Sequence, residues 1–144
     1  MVHRFPTAFL LVFGLSSATL ADEAKKGAMY KSPGCECGED YAYYLRDRGY
    51  QIKVFPTIDM DGLKKRNGIS ENIATCHTLI IGRYVVEGHV PAKYVERLLK
   101  EKPAIRGIAL PGKPEGAPGV TGEKRQPFTI YEIGSQPGKV FAVD

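Results

Sequence analysis

The sequence predicts an α/β domain of βαβ–α–ββα order, closed by a Gly/Pro-rich C-terminal loop and a terminal β-hairpin. Three observations predict it. Short apolar or β-branched runs alternate with stretches of helical periodicity. The segment between the first two strand-like runs is long enough for a helical crossover, which makes those strands parallel. Gly and Pro fall at the boundaries between segments, where they stop helices and open turns.

Each element follows from its residues. Residues 28–31 read as a strand, ended by the turn residues Ser32, Pro33 and Gly34. Residues 39–47 read as a helix. Tyr41, Tyr44, Leu45 and Arg48 recur at i, i+3, i+4 and i+7 to form one buried stripe, Glu39 and Asp40 suit the positive end of the helix dipole, and Gly49 is the stop. Residues 51–58 form a second strand and residues 59–67 a second helix, ended by Gly68; residues 70–74 add one helical turn. Residues 78–81 and 84–88 are a hairpin turning at Gly82 and Arg83. Residues 91–102 form an amphipathic helix with Tyr94, Val95, Leu98 and Leu99 on its apolar face and Pro91 in its first turn. This is the order of a thioredoxin-like domain. Residues 107–127 read as a long loop, and residues 128–133 and 139–143 as the terminal hairpin.

The first 21 residues stand apart. A short basic start, Met1 to Arg4, precedes a mostly apolar run from Phe5 to Leu20 and small residues at Ala18 and Ala21. That is the pattern of a secretory signal peptide, cleaved after Ala21 or, as second choice, after Ala18. Pro6 and Gly14 interrupt the run, and it is short for a spanning helix, so no stable membrane insertion is expected after cleavage. Residues 22–144 then make one domain. An exported chain of this kind is expected in an oxidising compartment, where disulfides are allowed. Twenty Lys and Arg against 16 Asp and Glu give a net charge of +4, and cleavage removes only Arg4. The run Lys64-Lys65-Arg66 reads as a solvated helix face. With no interleaved stacking aromatics it does not point to nucleic acid.

All three cysteines fall in two short motifs, Cys35-Glu36-Cys37 and Cys76-His77. In the predicted layout the first motif lies where strand one leads into the N-terminus of a helix, which favours thiolate. The second leads into strand three, beside that helix end. Cys35, Cys37, Cys76 and His77 therefore converge as a candidate metal site, because soft thiolates select Cu(I), Zn or iron–sulfur chemistry. Cu(I) is favoured and zinc is the alternative. The domain has its own apolar core and does not need a structural zinc, and Cu(I) accepts low coordination numbers.

Other readings of the same residues remain open. An odd number of cysteines in an exported chain also allows a disulfide from Cys76 to Cys35 or Cys37 with one free thiol. His89, at the end of a hairpin strand, reads as a surface or capping residue; Met29 and Met60 read as core filler. No catalytic triad, phosphate loop or dinucleotide motif is present, so no catalytic residue is assigned.

The runs Tyr30-Lys31-Ser32-Pro33-Gly34-Cys35-Glu36-Cys37, Cys76-His77-Thr78, Tyr84 to Pro91 and Arg106 to Gly112 together resemble the CopG-like family of exported bacterial proteins. The resemblance covers residues 27–144. It implies a thioredoxin-like metal-binding protein linked to copper resistance, with metal ions and other periplasmic copper-handling proteins as partners. The family usually carries Cys-x-Cys-Cys. Gly38 stands where the last cysteine would be, which implies a smaller site. The expected function is periplasmic buffering or transfer of Cu(I) in copper homeostasis or resistance. The alternatives are a thiol or copper redox protein, and a zinc-binding or disulfide-stabilised interaction module.

Overall fold

The computed structural model describes residues 24–144; the expected signal peptide lies outside them. The described elements are β1 (Lys26–Lys31), α1 (Glu36–Arg46), β2 (Gln51–Pro56), α2 (Met60–Arg66), a 3₁₀ turn (Glu71–Ile73), β3 (His77–Ile81), β4 (Tyr84–Gly88), α3 (Ala92–Glu101), β5 (Gly107–Leu110), β6 (Thr129–Ile133) and β7 (Val140–Val143). They form a mixed α/β fold around one seven-stranded sheet of order β2-β1-β3-β4-β5-β6-β7. β1 and β2 are parallel, as the helical crossover requires. β3 pairs antiparallel with β1 on its other side, and β3–β4 is a hairpin turning through Gly82 at φ 55°.

Strand alternation gives the sheet two packed faces. Met29, Leu79, Ile81, Val86, Ile108 and Ile130 point to one face, where they pack with Tyr41 and Leu45 of α1 and Val95 and Leu98 of α3. Their neighbours Val85, Ala109 and Ile133 point to the other, with Ile69 and the partly buried Ile73, Ala74 and Ile80. Met29 and Met60 are core residues, 0% and 7% exposed.

The structure corrects four expectations. α1 begins at Glu36, three residues early, so Cys35 is its N-cap residue and Cys37 lies in its first turn. Arg48 is not part of the buried stripe: it is exposed, with its guanidinium 3.7 Å from the centroid of the Tyr44 ring. Residues 107–110 are not loop. They form β5, parallel to β4, and β5 carries the terminal hairpin into the main sheet. The run Lys64-Lys65-Arg66 is not uniformly solvated either. Lys64 is 6% exposed, and its ammonium pairs with the buried Glu87 carboxylate at 2.5 Å.

Gly107 marks the tightest approach in the sheet. A Cβ there would lie 1.9 Å from the Val85 carbonyl oxygen, which belongs to the paired backbone and has no room to move. Gly107→Ala should therefore cost at least about 2 kcal/mol in urea unfolding. Gly34→Ala, with nothing within 4 Å, should be close to neutral. Equal midpoints for the two variants would contradict this packing.

Candidate metal centre

The register of β1 and β3 brings the two cysteine motifs together. Lys31, the last residue of β1, stands opposite His77, the first of β3. One step further along, the Ser32 N–H donates to the Cys76 carbonyl at 3.0 Å, and the Cys35 N–H closes a turn on the Ser32 carbonyl at 3.0 Å. Pro33 and Gly34 complete the turn, which hands the chain to α1 with Cys35 as its N-cap. The four predicted residues meet here: one ligand atom from each of Cys35, Cys37, Cys76 and His77 lies within 4.8 Å of the others.

Cys35 and Cys76 are joined in a disulfide, with Cys37 as the free thiol among the described residues. The structure thus shows one of the pairings left open by the sequence. The Cys37 sulfur lies 3.5 Å from Cys76 Sγ and 3.7 Å from Cys35 Sγ. His77 Nδ1 is 3.8 Å from both disulfide sulfurs. Cys35 is buried, whereas Cys37 and Cys76 are half-buried. Glu36 is exposed. In this oxidised form only Cys37 can offer a thiolate. Two-electron reduction would free the other two sulfurs at the same place, giving three thiolates and an imidazole, a set suited to a soft or borderline ion.

Gly38 explains how the site closes with one cysteine fewer. It is buried against β1 and β3, and a Cβ there would meet the Cβ of His77 and the side chain of Lys31 at 3.3 Å. The Lys31 ammonium donates to the Cys35 carbonyl at 3.2 Å and lies 3.8 Å from Glu39. The aliphatic stem of Lys31 thus lines the flank where a side chain at position 38 would begin.

His89 is the residue that the sequence reading missed. It is not a surface residue: it is 1% exposed, and its ring packs edge-on against His77 with centroids 4.7 Å apart. Tyr41 packs against both imidazoles, 5.6 Å from each. No local signal marks His89 as buried, because the chain that covers it arrives 29 residues later: Nδ1 contacts the Pro118 carbonyl at 2.7 Å. The Gly/Pro-rich segment is accordingly packed, with Ala117 in the core.

Burial, reinforced by the neighbouring His89, lowers the His77 pKa to about 3; the backbone of Gly88 pulls weakly the other way. His89 is lowered too, mainly by burial. Both imidazoles are therefore neutral at pH 7, the form that can bind a metal. The unfolded chain takes up these protons near pH 6.5 and the folded chain does not, so the metal-free fold loses stability as pH falls from 6.5 toward 3. His77 alone contributes up to about 1.4 kcal/mol per pH unit in that window. Urea unfolding of the metal-free protein at pH 6.5 and 4.5 should show the loss. A His77 ring that titrates near pH 6.5 by NMR would contradict it.

Fold and cluster together define a mixed α/β protein with a candidate Cys/His metal centre at one end of its sheet. The chain is similar to two solved structures, "Copper resistance protein copG- Form 1" and "Copper resistance protein copG- Form 2". The first is 29% identical with a TM-score of 0.75, covering 83% of this chain and 96% of that one. The second is 28% identical with a TM-score of 0.71, covering 82% and 94%. Residues 73–120, which include Cys76, His77 and His89, match a family described as a protein of unknown function, DUF411. Among curated proteins none matches the sequence. The chain fits a CopG-like family, as its motifs indicated.

Proposed function

We propose that this protein is an exported, periplasmic copper-binding protein of thioredoxin-like fold that buffers or transfers Cu(I). The thiolates of Cys35, Cys37 and Cys76 are its ligands, and His77 binds as the fourth through Nδ1. The observation that carries this reading is the convergence of these four donors within 4.8 Å, in a chain similar along most of its length to copper resistance proteins. The binding-competent form is the reduced one. An external dithiol supplies two electrons and two protons to open the Cys35–Cys76 bond and leaves as a disulfide. Cu(I) then displaces protons from the thiols.

Three thiolates bring about three negative charges into a half-buried place, and Lys31 and Lys113 stand close enough to offset part of that charge. With Gly38 in place of a fourth cysteine, the site holds fewer copper ions than a Cys-x-Cys-Cys site would. The test is anaerobic titration of the reduced chain with Cu(I) against a chromophoric chelator, with Cys35→Ser alongside. The wild type should bind with defined stoichiometry and Cys35→Ser at least about tenfold more weakly. Equal, weak binding by both would refute the reading, and a site that prefers zinc in direct competition would replace copper with zinc.

A second reading, a thiol redox protein, is favoured by the 3.5 Å approach of the free Cys37 sulfur to Cys76 Sγ. Attack by the Cys37 thiolate would form Cys37–Cys76 and release Cys35 as thiolate, with no net oxidation. Turnover of a model disulfide distinguishes the two: a thiol oxidoreductase turns it over, and a copper buffer does not.

A further inference from the structure

We infer that the Cys35–Cys76 disulfide is opened by attack at Cys76 Sγ, and that the attacker is a small thiol carrying an anionic group, received in the cavity beside Lys113. The inference deepens the reading above, which needs the reduced form. It names the sulfur that is attacked and the class of reductant, and it holds whichever metal follows.

Access separates the two bonded sulfurs. Cys76 is half-buried and lines a cavity of about 250 Å³ together with Cys37, His77, His89, Gly112 and Lys113. Cys35 is 5% exposed and is not part of that wall. A nucleophile from outside therefore reaches Cys76 and not Cys35. The neighbouring thiol is not placed to open the bond first. An attacking sulfur enters along the axis of the S–S bond, a whole bond length nearer one sulfur than the other. Cys37 Sγ is 3.5 Å from Cys76 Sγ and 3.7 Å from Cys35 Sγ, so it stands beside the bond and must turn before it can attack.

The electrons follow from the point of attack. The outside thiolate bonds to Cys76 Sγ, the Cys35–Cys76 bond breaks, and its electron pair leaves on Cys35. Cys35 is well placed to hold that charge. It is the N-cap residue of α1, at the positive end of the helix dipole. The Lys31 ammonium donates to its carbonyl at 3.2 Å, although Glu39, 3.8 Å from Lys31, offsets part of that charge. A second thiolate, from the same dithiol or from another molecule, then attacks the outer sulfur of the adduct. The two outside sulfurs leave as a disulfide, and Cys76 is released as thiolate. Two thiols thus supply the two electrons and two protons that Cys35 and Cys76 take up.

The cavity wall selects the charge of the reductant. With both imidazoles neutral, Lys113 is the one charged side chain among the residues lining the cavity. Its charge reaches both rings and helps to lower their pKa values. A cation there attracts a thiolate with a carboxylate behind it and repels a thiol that carries an ammonium. The volume is below the range of about 300–1,000 Å³ for a full ligand pocket, so the cavity suits a thiol of a few heavy atoms.

The test uses the oxidised, metal-free mature chain. Its disulfide is opened with mercaptopropionate, mercaptoethanol and cysteamine, which are anionic, neutral and cationic, and the rates are compared per thiolate. The anion should be about fivefold faster than the neutral thiol at low salt, the cation slowest, and Lys113→Gln should level most of the difference. Cys37→Ser removes the thiol that could displace the adduct. In that variant, mass spectrometry of the acid-quenched reaction should find the mixed disulfide on Cys76. An adduct on Cys35 overturns the point of attack. Equal rates for the three thiols, or a preference that Lys113→Gln leaves intact, overturn the anionic class. Because no metal is added, either failure leaves the Cu(I) reading standing, and a reduced chain that takes up no Cu(I) leaves this inference standing.

Discussion

Opening the Cys35–Cys76 disulfide is expected to raise the affinity for Cu(I) at least about a hundredfold, or about 2.7 kcal/mol. In the closed form Cys37 is the single free thiol among the described residues, and a disulfide sulfur is a poor donor. Reduction adds two thiolates within reach of the same point without moving the backbone far, because Cys35 and Cys76 are already held by the Ser32 hydrogen bonds on both strands. Chelator competition on the dithiol-reduced and the oxidised protein, each freed of reductant, measures the difference. Affinity of the reduced form should also fall as pH is lowered, since each ligating thiol must lose a proton. Equal affinities for the two redox forms would contradict the site as described.

Replacing Glu87 by Ala is expected to cost about 3–5 kcal/mol of folding free energy, the range for removing one partner of a buried ion pair. Glu87 is 0% exposed, and its carboxylate accepts from the Lys64 ammonium, the Thr75 N–H, the Thr75 hydroxyl and the Thr78 hydroxyl. Removing it leaves the buried Lys64 ammonium without its counter-charge, still bonded to the Thr78 hydroxyl at 2.9 Å, and takes the acceptor from the Thr75 N–H. The paired change Lys64→Met with Glu87→Leu removes the charges together and should recover much of the loss. The network also bears on the metal centre. Thr75 directly precedes Cys76, and its single hydroxyl proton is shared between the Glu87 carboxylate and the His77 carbonyl, each 2.9 Å away. Glu87→Ala should therefore loosen Cys76 and weaken Cu(I) binding beyond what Lys64→Met/Glu87→Leu does. Urea unfolding within about 1 kcal/mol of wild type would contradict a buried, fully engaged Glu87.

The meeting of the two cysteine motifs was legible in the sequence because it depends on local signals. A strand, a turn with Pro33 and Gly34 and a helix start place Cys35 and Cys37, and the strand beginning at His77 places Cys76. What was illegible depends on partners far along the chain. Lys64 looked like one more charge in a basic run, since its partner Glu87 is 23 residues away. His89 looked exposed because Pro118 covers it from 29 residues downstream. β5 reads as loop in the sequence because four residues opened by Gly107 and followed by Pro111 carry too little periodicity to stand out; only pairing between β4 and β6 defines them. The choice of Cys35 as the partner of Cys76 is likewise beyond spacing, as Cys37, 39 residues from Cys76 against 41 for Cys35, is no farther away in sequence.

The central claim is that the reduced Cys35, Cys37 and Cys76 thiolates hold Cu(I). Copper-edge X-ray absorption on the reduced, Cu(I)-loaded and desalted chain tests it most directly. The account predicts retained copper with nearest neighbours that are mainly sulfur, plus a nitrogen contribution that His77→Ala diminishes. Copper lost on desalting, or bound with only oxygen and nitrogen neighbours, would contradict it.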